Sequence, residues 1–470
     1  MRIEHKIVDS WPKLAWYATW KKGGDTMQVL CGSGVEVRED RLFEGVWDGD
    51  FEEGAFDHSA AFFGSGLVLR GKEVVLVPTV GNYERIYVTA DSNSAAQCAS
   101  NSLLCWLTQR GEKLDSNRPD YYTDLCQING KGHMQTLPYF KLSNAGKVGL
   151  VNLSSWIIGE KKSWRETPRK GPSFSANFES YRLFLSESMK RILSNASSRH
   201  RKTALTVRTA VSEGFDSVAV SSLAAELGVK NGISVLGRED ARAIGKKLGL
   251  KMTTRHRARC WLYPTWKTQE FHALPIGQQR PLGLFESIQE DSILFSGHLG
   301  DIVWSMAPRF TGDSMISKRF SGILGGNSIL EHRLRIGLFV IPIPGIGYWH
   351  WSTINEISTS SEMQKFMNRG DLDSIYGGKY SRPIPRRIGL EAGLSWNDFG
   401  IKKIAGGIAV PDVFVGISEI SFRRYLKGVD DIHKSTYPKE LNPYFHKNRY
   451  RWGIHWAHEG LKDRYRVESN

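Results

Sequence analysis

The chain has no long apolar run. Its longest candidate, Ile336 to Trp351, is broken by Pro342, Pro344 and three glycines, whereas a membrane helix needs roughly twenty apolar residues in succession. The opening Met-Arg-Ile-Glu-His-Lys carries charge where a secretory signal would have its apolar stretch. Cysteine is scarce: Cys31, Cys98, Cys105, Cys126 and Cys260 make five, an odd number with no metal-ligand spacing. These absences set aside a membrane protein and a zinc module, and they lead us to expect a reducing, cytoplasmic setting. What is present is ordinary for a soluble globular protein, with 40% hydrophobic and 24% charged residues. At 470 residues there is room for two or three domains. A net charge of +14 permits a polyanionic partner, whether a nucleotide, an acidic metabolite or RNA, without choosing among them.

The most informative stretch is Ala210-Val-Ser-Glu-Gly-Phe-Asp-Ser217. Before it, Thr203-Ala-Leu-Thr-Val-Arg-Thr209 is short and β-branched, as strands are. After it, Val218 to Gly228 is rich in alanine and leucine and ends in a glycine, as helices do. A strand, a Ser/Gly turn and a helix bring unpaired N–H groups together at a positive dipole end, which suits phosphate. No Gly-Lys-Ser/Thr closes the turn, so it is not a Walker loop.

The order Ser-x-Gly-x-Asp-Ser resembles the pyrophosphate loop of the ATP pyrophosphatase (PP-loop) superfamily, and more narrowly that of the asparagine synthetase-like family. Ser212, Gly214, Asp216 and Ser217 match its pattern, while Glu213 and Arg208 depart from it. Asn231 to Leu236 reads as the next parallel strand, with a helix from Glu239 to Leu248. Asp291 to Trp304 is similar to the family's second signature: Ser296, Gly297, Gly300 and Asp301 are kept, and His298 and Ile302 replace its glutamates. Between the signatures, Thr253-Thr-Arg-His-Arg-Ala-Arg-Cys260 is either an anion-binding loop at the sheet edge or a solvated one.

Residues 1–165 read as β-rich, with short runs at Leu14–Trp20, Thr26–Leu30, Ala60–Leu69, Glu73–Pro78 and Arg85–Thr89. The resemblance implies a glutaminase-like (Ntn-like) domain here. Its catalytic cysteine would follow the initiator methionine, but this chain has Arg2 there, and Cys31 lies well inside. The expectation is a degenerate domain without glutaminase activity, with an unrelated β-domain as the alternative. Trp164 to Pro172 is the linker candidate. Phe178, Tyr181, Leu185, Met189 and Ile192 then predict an amphipathic helix, which opens a synthetase domain over residues 174–425. Arg382 to Lys403 resembles the family's late arginine-bearing helix and the loop with its essential lysine, here Lys402 or Lys403. Residues 426–470 form a basic, aromatic tail, expected to pack on the synthetase domain.

The fold class expected is thus α/β, a parallel-sheet PP-loop domain preceded by a β-rich one. The resemblance implies an ATP-dependent, Mg²⁺-requiring ligase that adenylates a carboxylate, releases pyrophosphate and passes the acyl group to ammonia or an amine. Ser212, Gly214 and Ser217 would hold the phosphates, and Asp216 and Asp301 the metal. Backbone near Ala210, Leu236, Ser296 and Gly297 would frame the adenosine, with His298 as a base and Lys402 or Lys403 meeting the departing charge. A PP-loop RNA-modifying enzyme and a non-catalytic partner-binding descendant stay open as alternatives.

Overall fold

The computed structural model describes residues 1–80, 85–91, 94–118, 137–143, 146–159, 164–167, 169, 171–236, 240–256, 278–279, 288, 290–304, 330–367, 382–399, 408–409, 427, 431 and 453–467. It is a mixed α/β structure with several sheets, of which one is all-parallel.

The first part is a sandwich of two sheets. One runs β1-β3-β2-β9-β8-β11-β10, built from β1 (Arg2–Ile7), β2 (Trp16–Lys21), β3 (Thr26–Cys31), β8 (Ile86–Thr89), β9 (Ala96–Ser100), β10 (Tyr139–Lys141) and β11 (Lys147–Val151). The other runs β13-β12-β7-β6-β5-β4, from β4 (Glu36–Val37), β5 (Arg41–Trp47), β6 (Phe62–Arg70), β7 (Glu73–Val77), β12 (Ser155–Ile158) and β13 (Trp164–Thr167). Large side chains from both inner faces fill the space between them. Trp16, Trp20, Met27 and Val29 come from the first sheet, and Leu67, Val74, Leu76 and Trp156 from the second. Alternation makes this possible, since residues two apart on a strand share a face.

The segment expected to be a linker begins as β13, paired antiparallel with β12. The sandwich therefore extends through Thr167, past the expected boundary at residue 165. Its Trp-Arg-Glu-Thr sequence is a serviceable edge strand, because an edge accepts alternating charge.

α1 (Leu103–Arg110) follows β9. It starts on the Ser102 hydroxyl, which accepts from the Cys105 N–H, and stops at Gly111 in the left-handed region. α2 (Phe178–Ala196) is the long helix expected from its spacing, and its five predicted anchor residues are all buried.

The parallel sheet has the order β16-β15-β14-β18-β19, with β14 (Thr206–Ala210), β15 (Asn231–Leu236), β16 (Lys251–His256), β18 (Ser292–Ser296) and β19 (Leu338–Pro342). The short β17 (Gln278–Gln279) and β20 (Ile408–Ala409) pair separately. In chain order the five strands lie 3-2-1-4-5, a doubly wound arrangement whose direction of winding reverses between β14 and β18. α3 (Phe215–Glu226) packs on both of these central strands. The connecting and outer helices are α4 (Arg242–Lys247), α5 (Gly300–Val303), α6 (Leu330–Ile336), α7 (Trp351–Thr359) and α8 (Pro383–Glu391).

α9 (Gly453–Tyr465) lies against α1 of the sandwich rather than on the parallel-sheet part, where the tail was expected. Trp11 explains this: its ring meets Tyr465 at 6.2 Å and its Nε1 donates to the Tyr465 carbonyl at 3.1 Å. Gln109 of α1 donates to the same carbonyl, and the Ser10 hydroxyl donates to the Arg464 carbonyl.

Candidate functional site

The reversal point of the parallel sheet is where the two sequence signatures meet. One follows β14 and the other follows β18, and these strands are direct neighbours. In open α/β sheets the crevice for ligands forms beyond the carboxyl ends of the strands, at such a reversal.

The first loop is organised by its own hydroxyls. Ser212 Oγ accepts from the Gly214 N–H at 3.2 Å and lies 2.5 Å from Ser217 Oγ, which also approaches the Gly214 carbonyl at 3.0 Å. Gly214 caps α3 without a side-chain bond, and the acid in the helix's first turn is Asp216. A Cβ at Gly214 would meet Ser212 Oγ only at 3.4 Å, so sterics do not demand glycine there.

Close approach does demand glycine at the second signature. A Cβ on Gly297 would lie 2.4 Å from the Asp216 carbonyl carbon and the Ser217 nitrogen. A Cβ on Gly300 would lie 2.4 Å from Asp216 Cγ. Only a residue without a side chain lets the two loops touch. Between them Leu299, buried, takes φ +73°. A bulky residue in the left-handed region is strained, and such residues gather at functional sites.

The other expected residues fall as follows. Ala210 and Leu236 end the adjacent strands β14 and β15, and both are half-buried. Ser296 ends β18, 8% exposed, and its hydroxyl is buried with no hydrogen-bond partner among the described residues. His298 is half-buried on the turn before α5, and Asp301 lies in the first turn of α5. Lys402 and Lys403 lie outside the described residues, as do Arg257 to Cys260 of the basic loop. Phe399, the last described residue before the lysine pair, packs on Phe215 at 5.5 Å between ring centroids.

The two departures from the loop pattern each have a local explanation. Glu213 turns outward and accepts from the Asp240 N–H at 2.9 Å, helping to order the turn before α4. Arg208, in the central strand, reaches Glu290 at 2.6 Å and is neutralised there. An arginine in a sheet interior is tolerated when its head finds a carboxylate.

Arg382, just before α8, has a role that loop patterns did not indicate. Buried to 5% exposure, it brings Nε to 3.9 Å from Asp216 Oδ1. The arginines of Arg-Pro-x-Pro-Arg-Arg were visible in the sequence, but their partner lies 166 positions away, by subtraction of 216 from 382. Arg386 of the same helix lies over the Phe215 ring at 4.6 Å and the Trp396 ring at 4.9 Å. This fastens α8 to the start of α3.

Among the described residues no group of three or more His, Cys, Asp or Glu side chains could hold a metal by itself. Asp216 lies in the first turn of α3 and Asp301 in the first turn of α5. No helix among the described residues is long and apolar enough to cross a membrane.

The fold and site together define a mixed α/β protein with a doubly wound parallel sheet and a glycine-lined contact of two loops at its reversal point. Beyond that class the sequence matches no known family model and no curated protein.

Proposed function

We propose that the protein is an ATP-dependent ligase of the asparagine synthetase-like kind, adenylating a carboxylate and transferring the acyl group to ammonia or an amine. The observation that carries this reading is the contact of the two signature loops at the reversal point, with Gly297 and Gly300 against Asp216. The parallel part would then be a PP-loop domain and the sandwich a degenerate glutaminase-like one. Cys31 is buried, with its thiol pushed up by that burial. A buried thiol held protonated is a poor nucleophile.

In this reading Ser212, Ser217 and the first N–H groups of α3 bind the phosphates. Asp216 and Asp301 would hold Mg²⁺, which when bound neutralises phosphate charge. The Ser296 hydroxyl and the strand ends at Ala210, Leu236 and Gly297 border the adenosine. Arg382 keeps the Asp216 carboxylate oriented. His298 accepts a proton from the attacking amine, and Lys402 or Lys403 meets the negative charge that builds as the α–β bond breaks.

The test is pyrophosphate and AMP formation with Mg-ATP, a panel of carboxylic acids and ammonia, in the wild type and in Asp301→Asn, Lys402→Ala and Lys403→Ala. A lysine acting chiefly in the transition state lowers turnover about a hundredfold while ATP affinity changes little. Asp301→Asn should harm both. Full turnover in both lysine variants would remove them from the mechanism. Pyrophosphate release that depends on added RNA instead of a carboxylic acid would favour the RNA-modifying alternative.

A further inference from the structure

Arg169 carries a buried guanidinium that makes no ion pair among the described residues. It lies in the segment between β13 and α2, and its Nη2 donates to the Pro78 carbonyl. Although the residue as a whole is half-buried, its Nε and Nη1 are shut off from solvent and have no hydrogen-bond partner among the described residues. Asp57, an acid that acts on it through space, is already engaged by Arg70. Burial pulls the guanidinium down to about 10, the direction of a cation that lacks a matched counter-ion. Buried donors without acceptors are rare, and each one asks for a missing partner. Arginine is the side chain best suited to supply such donors to a carboxylate.

The surroundings repeat the pattern. Tyr348 is buried, and the Trp349 ring lies 4.2 Å from it between centroids. The Trp349 indole N–H is buried with no acceptor among the described residues, as is that of Trp351. The Phe62 ring stands 5.9 Å from the Arg169 guanidinium. Three parts of the chain meet here: Phe62 and Pro78 from the sandwich, Arg169 and Gly171 from the connecting segment, and Tyr348 to Trp351 from the turn after β19. A Cβ on Gly171 would come 2.3 Å from Trp349 Nε1, so the connecting segment packs closely on the turn at that point. The same turn begins with Ile343–Gly345, where Gly345 approaches the Leu299 side chain at the second signature.

We propose that this seam binds a small molecule through its carboxylate, with Arg169 as the cation and the Trp349 indole N–H as a further donor. As an anion site it stands independently of the ligase reading; as the place that holds an acid substrate near the parallel sheet it rests on that reading.

The experiment is thermal unfolding of the full chain with succinate or acetate, against sodium chloride at matched ionic strength and against sulfate. The wild type should show a saturable rise in Tm with a carboxylate that chloride does not give. Arg169→Met should melt at or above the wild-type temperature without ligand, because an uncompensated buried charge has been removed, and should lose the rise. Trp349→Phe should fold and show a weaker rise. A lower Tm or failure to fold in Arg169→Met would mark the arginine as structural and overturn the proposal. So would the absence of a carboxylate-dependent rise in the wild type, a full rise in both variants, or an equal rise with sulfate. Mg-ATP titrated into Arg169→Met separates the two readings. Retained nucleotide binding with a lost carboxylate response supports the seam alone, and loss of both overturns it as a distinct site.

Discussion

Gly300 has no room for a side chain, and the consequence is measurable. Its Cα faces the Asp216 carboxyl so closely that a methyl group would sit 2.4 Å from Cγ, and Gly297 is equally tight against the Asp216–Ser217 peptide. Inserting a methyl into packing this close typically costs 1–3 kcal/mol, at the level of about one to two powers of ten in the folding equilibrium. Gly300→Ala and Gly297→Ala should therefore lower Tm, while Gly214→Ala, whose nearest contact is 3.4 Å, should change it little. Thermal unfolding of the three variants checks the ranking. Equal stability of all three would show that the loops do not meet as described. The glycines themselves were legible in the sequence, because the signature spacing singled them out. What they press against was not, because Gly300 and Asp216 are 84 positions apart, by subtraction of 216 from 300, and only the strand order brings them together. Arg382 was hidden for the same reason, since local pattern says nothing about a distant ion pair.

At the scale of elements, periodicity carried furthest where a segment buries one face. α2 was readable because Phe178, Tyr181, Leu185, Met189 and Ile192 repeat at helical spacing, and β15 because Ile233, Val235 and Leu236 fall in a short run after α3. β1, with the sequence Arg-Ile-Glu-His-Lys-Ile, is almost wholly exposed and carries no such mark. It exists because β3 offers it a ladder of partners. The docking of α9 on α1 was not specified by its sequence, since Trp456, His455 and His458 suit any apolar surface. That docking has a pH signature. Burial pushes His455 and His458 down to about 4, and His455 Nε2 meets the Arg118 carbonyl at 2.6 Å. Folded values below the ordinary value near 6.5 mean that the stabilisation is complete above about pH 6.5 and is lost as pH falls toward 4. Comparing Tm between pH 7 and 4.5 should show a larger drop for the wild type than for His458→Leu. Parallel drops would mean that the histidine does not titrate with unfolding.

Over the whole molecule, the sandwich and the parallel-sheet part share one continuous core. It runs from Trp11, Phe63 and Trp106 through Tyr181 to Phe295 and Ile341. At its polar centre Arg333 of α6 holds Glu44 of β5 through two bonds of 2.8 and 3.0 Å, with both side chains buried. Ser65 donates to the same carboxylate at 2.7 Å and receives the Trp16 indole N–H at 2.9 Å. Removing one member of a buried pair typically costs about 3–5 kcal/mol, whereas replacing both with apolar residues costs far less. Glu44→Leu should therefore be strongly destabilised in denaturant unfolding, and Glu44→Leu with Arg333→Met should recover most of the loss. Additive losses would show that the pair is not coupled. Such a joint explains why composition could suggest two domains but not how they are bound. The seam's polar residues look like surface residues until their partners are known.

The central claim, that the two loops at the reversal of the sheet form a nucleotide site, is tested most directly by calorimetric titration of Mg-ATP into the wild type and Asp216→Ala, with folding of both confirmed by circular dichroism. The account predicts saturable, magnesium-dependent binding to the wild type and a loss of at least about tenfold in affinity for the variant, as expected when a charge-assisted contact worth about 1.5–3 kcal/mol is removed. Equal affinity for both proteins, or no binding by a folded wild type, would contradict it.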